Sequence, residues 1–444
     1  MKTFTEVSSI IRNYNFTENS FLPHLVTIPL SQEFGITCKP LVKSGDIVKE
    51  GEIIAATDNS SFIHSSMPGT VQNIVPCLCP SGNTSYAIQI KSGGSFTYLG
   101  KNNKEIDFSE IDFSSVAENL EKNGIVNTFN ISKPENLGRE LKNNKKAKYL
   151  IVRLFDEDNF RYTDSLISKF YLREVLKAAD ALACGFGAKG IILANNTFAQ
   201  NKKLLHSLEK KERNENLDVN VSLPLCVVDM NVKHYPSGTK REILSAYNRN
   251  YKKTAGFEAS KNDIFTDSST LYQVYKTLYE KIPSISRPVF FSGNCLNVSC
   301  ILDVRIGTSV SDVVQQIGGF VKKPVQILIN GMICGNSLST CDIPITKYVK
   351  SVTIQSGKKE TDSHIYSCVN CGSCRTVCPS HLSPDLLYNT TANFRELPSQ
   401  IERSALDCTN CGLCNVVCPS RLPLCQTITA LKEKAILQDE KNKK

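Results

Sequence analysis

The sequence predicts a multidomain chain of mixed α/β and α+β class. A β-rich front end leads into a parallel α/β domain, then a second small β domain and a helical, cysteine-rich end. Three observations carry this. At 444 residues the chain is longer than one hydrophobic core sustains. Its patterning changes along its length: short strands with frequent turn residues over 1–105, strands alternating with helices over 106–285, and short strands again over 286–356. Within 357–444, two runs of four cysteines repeat at a spacing of 40 residues.

In the front end, "ITCKPLVKSGDIVKEGEIIAATDN" alternates short strands with the turns Lys43-Ser44-Gly45-Asp46 and Lys49-Glu50-Gly51-Glu52. "SSFIHSSMPGTVQNI" follows, with Pro68-Gly69 read as a hairpin turn. A V-x-x-G-D-x-V-x-x-G hairpin followed by H-S-x-x-P-G-T-V is the signature of a lipoyl-like barrel-sandwich hybrid. Lipoyl carriers expose a lysine at the tip between the strands. Here the tip reads Ser65-Ser66-Met67-Pro68, so it offers nothing to modify. His24 and His64 read as surface or packing residues.

The middle reads as helix "SSVAENLEKNG", strand "KYLIVRL" and one long amphipathic helix "DSLISKFYLREVLKAADALACG" stopped at Gly185. Strand "GIILAN", helix "TFAQNKKLLHSLEKKE", strand "LPLCVVD" and helices "KREILSAYN" and "SSTLYQVYKTLYEKI" follow. Such alternation argues a parallel sheet. From 286 to 356, "PVFFSG", "CILDVRIG", the helix "SVSDVVQQIGG", "VQILINGMICG" and "VTIQSG" have the size and order of a β-grasp domain.

The cysteine runs carry the chemistry. Each reads C-x2-C-x2-C-x3-C-P, the bacterial ferredoxin spacing, in which three thiolates take three corners of a [4Fe–4S] cube and the fourth ligates the other cube. One cluster is expected on Cys368, Cys371, Cys374 and Cys418, and the second on Cys408, Cys411, Cys414 and Cys378. Zinc is the alternative, but four ligands per ion leave the third cysteine of each run unexplained. Helices expected after Ser383-Pro384 and over 426–438 argue a helical ferredoxin module. The ten cysteines outside the runs, Cys425 among them, read as small packing residues.

Composition narrows the function. The N-terminal "MKTFTEVSSIIRNYNF" lacks a signal-peptide core, and no stretch approaches the ~18 apolar residues of a membrane helix. The reading is a soluble chain on the cytoplasmic side, where thiols stay reduced. Net charge of +9 is modest for this length and the lysine-rich end reads as a solvated tail, so no nucleic-acid partner is expected.

This order of parts resembles the C subunit of Rnf-type complexes, the ion-translocating NADH:ferredoxin oxidoreductases. The best-matched pieces are "IPLSQEFG", "KSGDIVKEGEIIA", "HSSMPGTV", "VRIGTSVSD", "DIPITK", "LSPDLL" and "PSRLPL". The resemblance implies an α/β domain like the flavoprotein of complex I, an SLBB-type β-grasp domain and two [4Fe–4S] clusters. It implies FMN reduced by NADH, partners among the other members of the complex with ferredoxin and NAD(H), and a peripheral position on the cytoplasmic face of the inner membrane.

Three elements of the implied flavin and nucleotide site depart from the family pattern. Its glycine-rich loop is "NGIVNTFNISKP" here, keeping Gly124 but placing Asn127, Phe129 and Asn130 at glycine positions. The acidic stretch is "DEDNF", leaving Asp156 and Asp158, with Asp164 also at an acidic position. The third element is "YPSGTKR", which keeps Tyr235, Pro236 and Gly238 but has Lys240 in place of an acid. Gly124, Asp156, Asp158 and Gly238 are thus the residues left for a flavin or nucleotide, and weak or no FMN binding is expected. Two readings follow: a cluster-bearing relay protein without flavin chemistry, or an active NADH-oxidising C subunit. A corrinoid reductase uses related modules but begins with the flavin loop.

Overall fold

The short strands and frequent turn residues read at the front end fold as expected into strands. The computed structural model of the chain describes residues 20–441 apart from 59–60, 94–106, 159, 198, 200, 211–220, 233–234, 358–363 and 393–398. The N-terminal segment and the expected boundary at 105 lie outside the described residues. Strands β1 (Leu25–Pro29), β2 (Lys39–Pro40), β3 (Ile47–Val48), β4 (Ile53–Ala56), β5 (Phe62–His64), β6 (Gly69–Leu78) and β7 (Thr84–Ser92) form two sheets, β1-β7-β6-β3 and β2-β4-β5. Val26, Ile28, Ile88 and Ile90 of one sheet bury against Ile54 and Ile63 of the other. Both expected turns form. The Asp46 carboxylate accepts from the Lys43 amide at 2.7 Å, and Glu52 does the same for Lys49 at 2.8 Å. Gly45 and Gly51 supply the positive φ each turn needs.

Two expectations fail here. Pro68-Gly69 does not close a hairpin, because β5 pairs with β4 while β6 pairs with β3 and β7 in the other sheet. The segment Ser65–Met67 is no exposed tip either: all three residues are fully buried, and the Ser66 hydroxyl donates to the Ile306 carbonyl at 2.6 Å. His64 is buried, as packing would have it.

The middle region contains α1 (Val116–Lys122), β8 (Val126–Asn127), β9 (Glu135–Asn136), α2 (Leu137–Asn143), β10 (Tyr149–Arg153), α3 (Thr163–Phe170), α4 (Leu172–Gly185), β11 (Gly190–Asn196) and α5 (Lys202–Glu209). It continues through β12 (Leu225–Met230), α6 (Lys240–Asn250), α7 (Lys252–Ala255), β13 (Ile264–Asp267) and α8 (Ser268–Leu278). The sheet is parallel, in the order β12-β11-β10-β13. Helices cover both faces: Leu150 and Val152 of β10 point into one core with α4 and α8, and Ile151 into another with α6. The long helix read from the sequence is broken at Tyr171, where φ of −125° and ψ of 35° leave the helical region and seat its ring 4.8 Å from Tyr272. Gly185 is the last residue of α4, as expected, and a Cβ there would press on Val116. The left-handed Gly187 follows two residues on and turns the chain towards β11.

A third set of strands, β14 (Ser286–Ser292), β15 (Cys300–Arg305), β16 (Gln326–Ile329), β17 (Asn336–Leu338) and β18 (Ser351–Gln355), forms a mixed sheet ordered β15-β14-β18-β16-β17. Helix α9 (Val310–Gln316) packs on it through Val310, Val313 and Val314.

Lys358–Lys444, together with Met332–Gly335, form a separate compact unit. Its helices are α10 (Ser373–Thr376), α11 (Pro384–Ala392), α12 (Ser399–Ser404), α13 (Leu413–Val416) and α14 (Leu424–Lys441). Helix α11 starts at Pro384 as expected, since proline gives up only an amide that has no partner in the first turn. Among the described residues no helix is long and apolar enough to cross a membrane.

Candidate functional site

The two cysteine runs fold alike, position for position. Asn370 and Asn410 have φ of 53° and 58°, Gly372 and Gly412 of 74° and 75°, and His381 and Arg421 of 54° and 53°. The Arg375 and Asn415 amides each donate to the glycine carbonyl three residues back at 3.0 Å. His381 and Arg421 donate in the same way to Cys378 and Cys418. Asparagine and glycine tolerate this left-handed backbone; histidine and arginine do so at a cost of roughly 1–2 kcal/mol each. Such strain, placed twice beside the fourth cysteine, is the kind that accumulates at functional sites.

The first-run cysteines Cys368, Cys371 and Cys374 line one cleft with Cys418 of the second run. This cleft spans about 310 Å³ with the solvent-open space at its mouth included. Asp385 lines it as well. Among the described residues no three His, Cys, Asp or Glu side chains close on one point that would hold a single ion. A four-iron cube bonds each thiolate at a different corner, so its ligands stand round the wall of a space rather than meet at its centre. Cys368, Cys371, Cys374 and Cys418 stand round the wall of one space, as the corner ligands of such a cube would.

The other four behave as neighbours too. Burial pushes the Cys411 thiol up, and Cys378 lies close enough to add to the rise. Burial likewise pushes Cys408 up to about 11. Backbone amides already point at sulfur: Leu382 donates to Cys378 at 3.3 Å and Asn410 to Cys408 at 3.4 Å. Amide donors of this kind spread the negative charge of a metal-bound thiolate.

A ninth cysteine lies beside this group. Cys425, in the first turn of α14, packs against the cluster of Cys374, Cys414, Leu422 and Leu424, the small packing role expected of it.

In the α/β domain the three altered elements do converge, and the chain's own side chains fill the place where they meet. Asn127 donates to Glu140 and to the Phe265 carbonyl, both at 2.8 Å. The Phe129 ring is buried against Phe265, 5.4 Å between centroids. Arg153 reaches from β10 to donate to the Phe129 carbonyl at 3.0 Å and to the Gly238 carbonyl at 3.1 Å. The loop amides are occupied as well: Thr128 donates to the Thr270 hydroxyl, Phe129 to Asn127 and Ser132 to Asn130.

The residues left for a flavin or nucleotide are likewise engaged. Asp156 caps α3, accepting from the Asp164 and Ser165 amides at 3.0 Å. Asp158 accepts from the Phe160 amide at 2.9 Å. The Gly124 carbonyl accepts from Lys347 at 2.9 Å, and Gly238 donates to Glu242 at 2.8 Å. A phosphate cradle needs free amides and room for close approach. These residues supply neither, so they do not fit FMN.

Behind the loop lies a buried charge network that the sequence did not announce. Lys350 is fully buried and bonds Asp164 at 2.6 Å and Asp267 at 2.5 Å. Arg287 donates to Thr128 and Ser269 at 3.0 and 3.1 Å. Burial, reinforced by the Asp267 charge, raises Asp164 to about 6. Burial alone would raise Asp267, but the charge and hydrogen bond of Lys350, with the Arg153 charge and the Thr270 amide, together hold its carboxyl well below its usual range.

These parts define a multidomain protein with a barrel-sandwich front end, an α/β core and a double-cysteine module. Residues 12–95 match the family model described as the RnfC barrel sandwich hybrid domain. The chain is 25% identical over 373 residues to the C subunit of the proton-translocating ferredoxin:NAD(+) oxidoreductase complex of Clostridium ljungdahlii, covering 82% of this chain and 78% of that one. It is 24% identical to the Na(+)-translocating counterpart of Acetobacterium woodii, covering 82% and 80%. A solved NAD+-reducing [NiFe]-hydrogenase in the air-oxidized state aligns at a TM-score of 0.44 and 11% identity, over 76% of this chain and 66% of that one. The chain thus resembles the C subunit of ion-translocating ferredoxin:NAD oxidoreductase complexes over most of its length.

Proposed function

We propose that this chain is the C-type subunit of an Rnf-type complex and relays electrons through two [4Fe–4S] clusters without a flavin of its own. The observation that carries the reading is the shared cleft: three cysteines of the first run and the last of the second line one space, as the exchanged-ligand pattern of two-cluster ferredoxins requires. Cys368, Cys371, Cys374 and Cys418 hold one cluster, and Cys408, Cys411, Cys414 and Cys378 the other. Each cluster carries one electron at a time. The protein's part is to fix the thiolates, aim the Leu382 and Asn410 amides at sulfur, and keep the pair in one rigid module.

In this reading residues 1–105 are the barrel-sandwich hybrid, 106–285 a flavoprotein-like domain, 286–356 an SLBB-type β-grasp domain and 357–444 a helical ferredoxin module. The filled loop at Asn127–Asn130 supports a scaffold role for the second of these, with NADH oxidation occurring elsewhere in the complex. Electrons would pass between a neighbouring iron–sulfur protein or membrane-bound flavin and ferredoxin. The chain would sit peripherally on the cytoplasmic face of the inner membrane, released by carbonate while membrane-spanning partners stay.

Anaerobic purification of the full chain tests this in one preparation. About eight irons with matching sulfide, a broad iron–sulfur absorbance band and no flavin bands are expected. Zinc, or one to two metals per chain, overturns the cluster reading, and stoichiometric FMN overturns the relay reading.

A further inference from the structure

The two cysteine loops share one backbone geometry but not one environment. At Gly372 a side-chain carbon would meet nothing within 4 Å, whereas at the matched Gly412 it would lie 2.8 Å from the Ile333 carbonyl oxygen and 3.2 Å from the Ile333 side chain. Ile333 belongs to Met332–Gly335, the segment that forms one compact unit with the cysteine module. The difference runs along the loop. Val369, Asn370 and Cys371 are exposed, while the matched Thr409 and Asn410 are half-buried and Cys411 is buried. Since the loops fold alike, the contrast comes from what lies against them. The second loop is covered, and the first is open.

The open loop carries an apolar face with a basic rim. Ile365, Tyr366 and Val369 are each more than half exposed, and Val369 lines the cleft beside Cys368, Cys371 and Cys418. The Tyr366 amide donates to the Ser420 carbonyl at 3.0 Å, and the Ser420 hydroxyl to the Ser367 carbonyl at 2.8 Å. The apolar stretch is thereby fixed against the cleft wall that Ser420 forms. Exposed apolar side chains grouped in this way mark interaction sites, unlike those scattered singly. The stretches 364–375 and 418–424 contain no acidic residue. Arg421 follows Ser420 and is exposed. The carboxylate of the cleft wall, Asp385, is 9% exposed and bonded at two points to Arg375, whose side chain is 54% exposed. The charge shown to solvent here is cationic.

Building on the cluster reading above, we propose that Ile365, Tyr366, Val369 and Arg421 form the docking face for a small iron–sulfur protein of acidic surface. The cluster on Cys368, Cys371, Cys374 and Cys418 is then the outer one, in direct electron exchange with that partner. The cluster on Cys408, Cys411, Cys414 and Cys378, covered by Ile333, is the inner one. The basic rim steers the acidic partner and the apolar side chains hold it briefly, as suits the small, weak interfaces of redox encounters. The exchange makes and breaks no bond: the partner is oxidised by one electron and the outer cluster reduced by one, or the reverse. A lipid surface also accepts apolar and basic side chains, but it exchanges no electron with a cluster held at the exposed Cys371.

The test uses the full chain, purified anaerobically with its iron measured, and a reduced bacterial ferredoxin of acidic surface as the probe. Binding is followed by biolayer interferometry and electron transfer by stopped-flow absorbance. Tyr366→Glu and Val369→Glu should each weaken binding by about tenfold or more, through like charge set against the acidic probe. Ile365→Glu, further from the first ligand, serves if Val369→Glu loses iron. Arg421→Glu should slow association at low salt and lose that effect at high salt. Ile47→Glu, at an exposed apolar position of the front end, should change neither readout. Cys378→Ala should keep the fast phase of reduction by the probe and Cys418→Ala should lose it, with the surviving cluster identified by which thiols resist alkylation. With about eight irons present, no binding of the probe, or binding indifferent to every substitution on this face, overturns this inference alone. So does loss of binding to anionic phospholipid vesicles in these variants with ferredoxin binding intact, which would make the face a membrane contact. A preparation without iron overturns it together with the cluster reading.

Discussion

The guanidinium of Arg153 lies 4.3 Å from the centroid of the Phe129 ring. The same side chain ties the loop at Phe129 to the turn at Gly238. The space between the altered loop and the turn at Gly238 is therefore occupied by a ring and a cation that belong to the chain. Phe129→Ala empties a buried site beside Phe265 and Ile151 and is expected to cost about 3–5 kcal/mol. Denaturant unfolding of the full chain measures this. A near-neutral result, together with FMN uptake, would mean that the ring only lodges in an open pocket.

Lys350 joins Asp164 and Asp267 in a fully buried cluster. Lys350→Met leaves two carboxylates without their cation. Breaking such a pair from one side costs roughly 3–5 kcal/mol. Lys434→Met, which removes a side chain that is 60% exposed and paired with Glu402, should cost under about 1 kcal/mol. Comparing their unfolding midpoints checks the contrast, and equal losses would refute it.

Acid should weaken the barrel-sandwich end through His64. Burial, with Lys347 nearby, lowers its imidazole from the usual 6.5 to about 3. The folded chain keeps this ring neutral, while the unfolded chain takes up a proton below about 6.5. Its contribution is therefore complete above pH 6.5 and is lost as pH falls towards 3, at about 1.4 kcal/mol per unit. His64→Gln should flatten the stability-against-pH slope between pH 6 and 4 by that amount. Parallel slopes for the two proteins would show that His64 titrates normally.

The sequence announced features whose cause is local or covalent. Cysteine spacing is dictated by the ligand geometry of a cube, and the turns at Lys43–Asp46 and Lys49–Glu52 by side chains that bond within four residues. What stayed hidden depends on distant partners. Ser66 is buried by a residue 240 positions away, and Lys350 meets partners 186 and 83 positions away. Neither burial nor charge pairing at such range leaves a mark on local pattern. The altered loop lies between. Its lost glycines were visible, but that Phe129 and Arg153 fill the space emerged only once β10 and the loop were side by side.

The last prediction separates exchanged from local ligation. If the fourth cysteine of each run serves the other cluster, Cys378→Ala removes the second cluster and leaves the first, so iron falls from about eight to about four. The survivor then sits in the cleft lined by Cys368, Cys371, Cys374 and Cys418. Anaerobic thiol alkylation followed by peptide mapping should label Cys408, Cys411 and Cys414 in Cys378→Ala and leave Cys368, Cys371, Cys374 and Cys418 protected. Cys418→Ala should give the mirror result, labelling Cys368, Cys371 and Cys374. Local ligation requires the opposite pairing, because Cys378→Ala would then free the cysteines of its own run. Iron content by itself cannot tell the two schemes apart, since each loses one cube; the identity of the labelled thiols does.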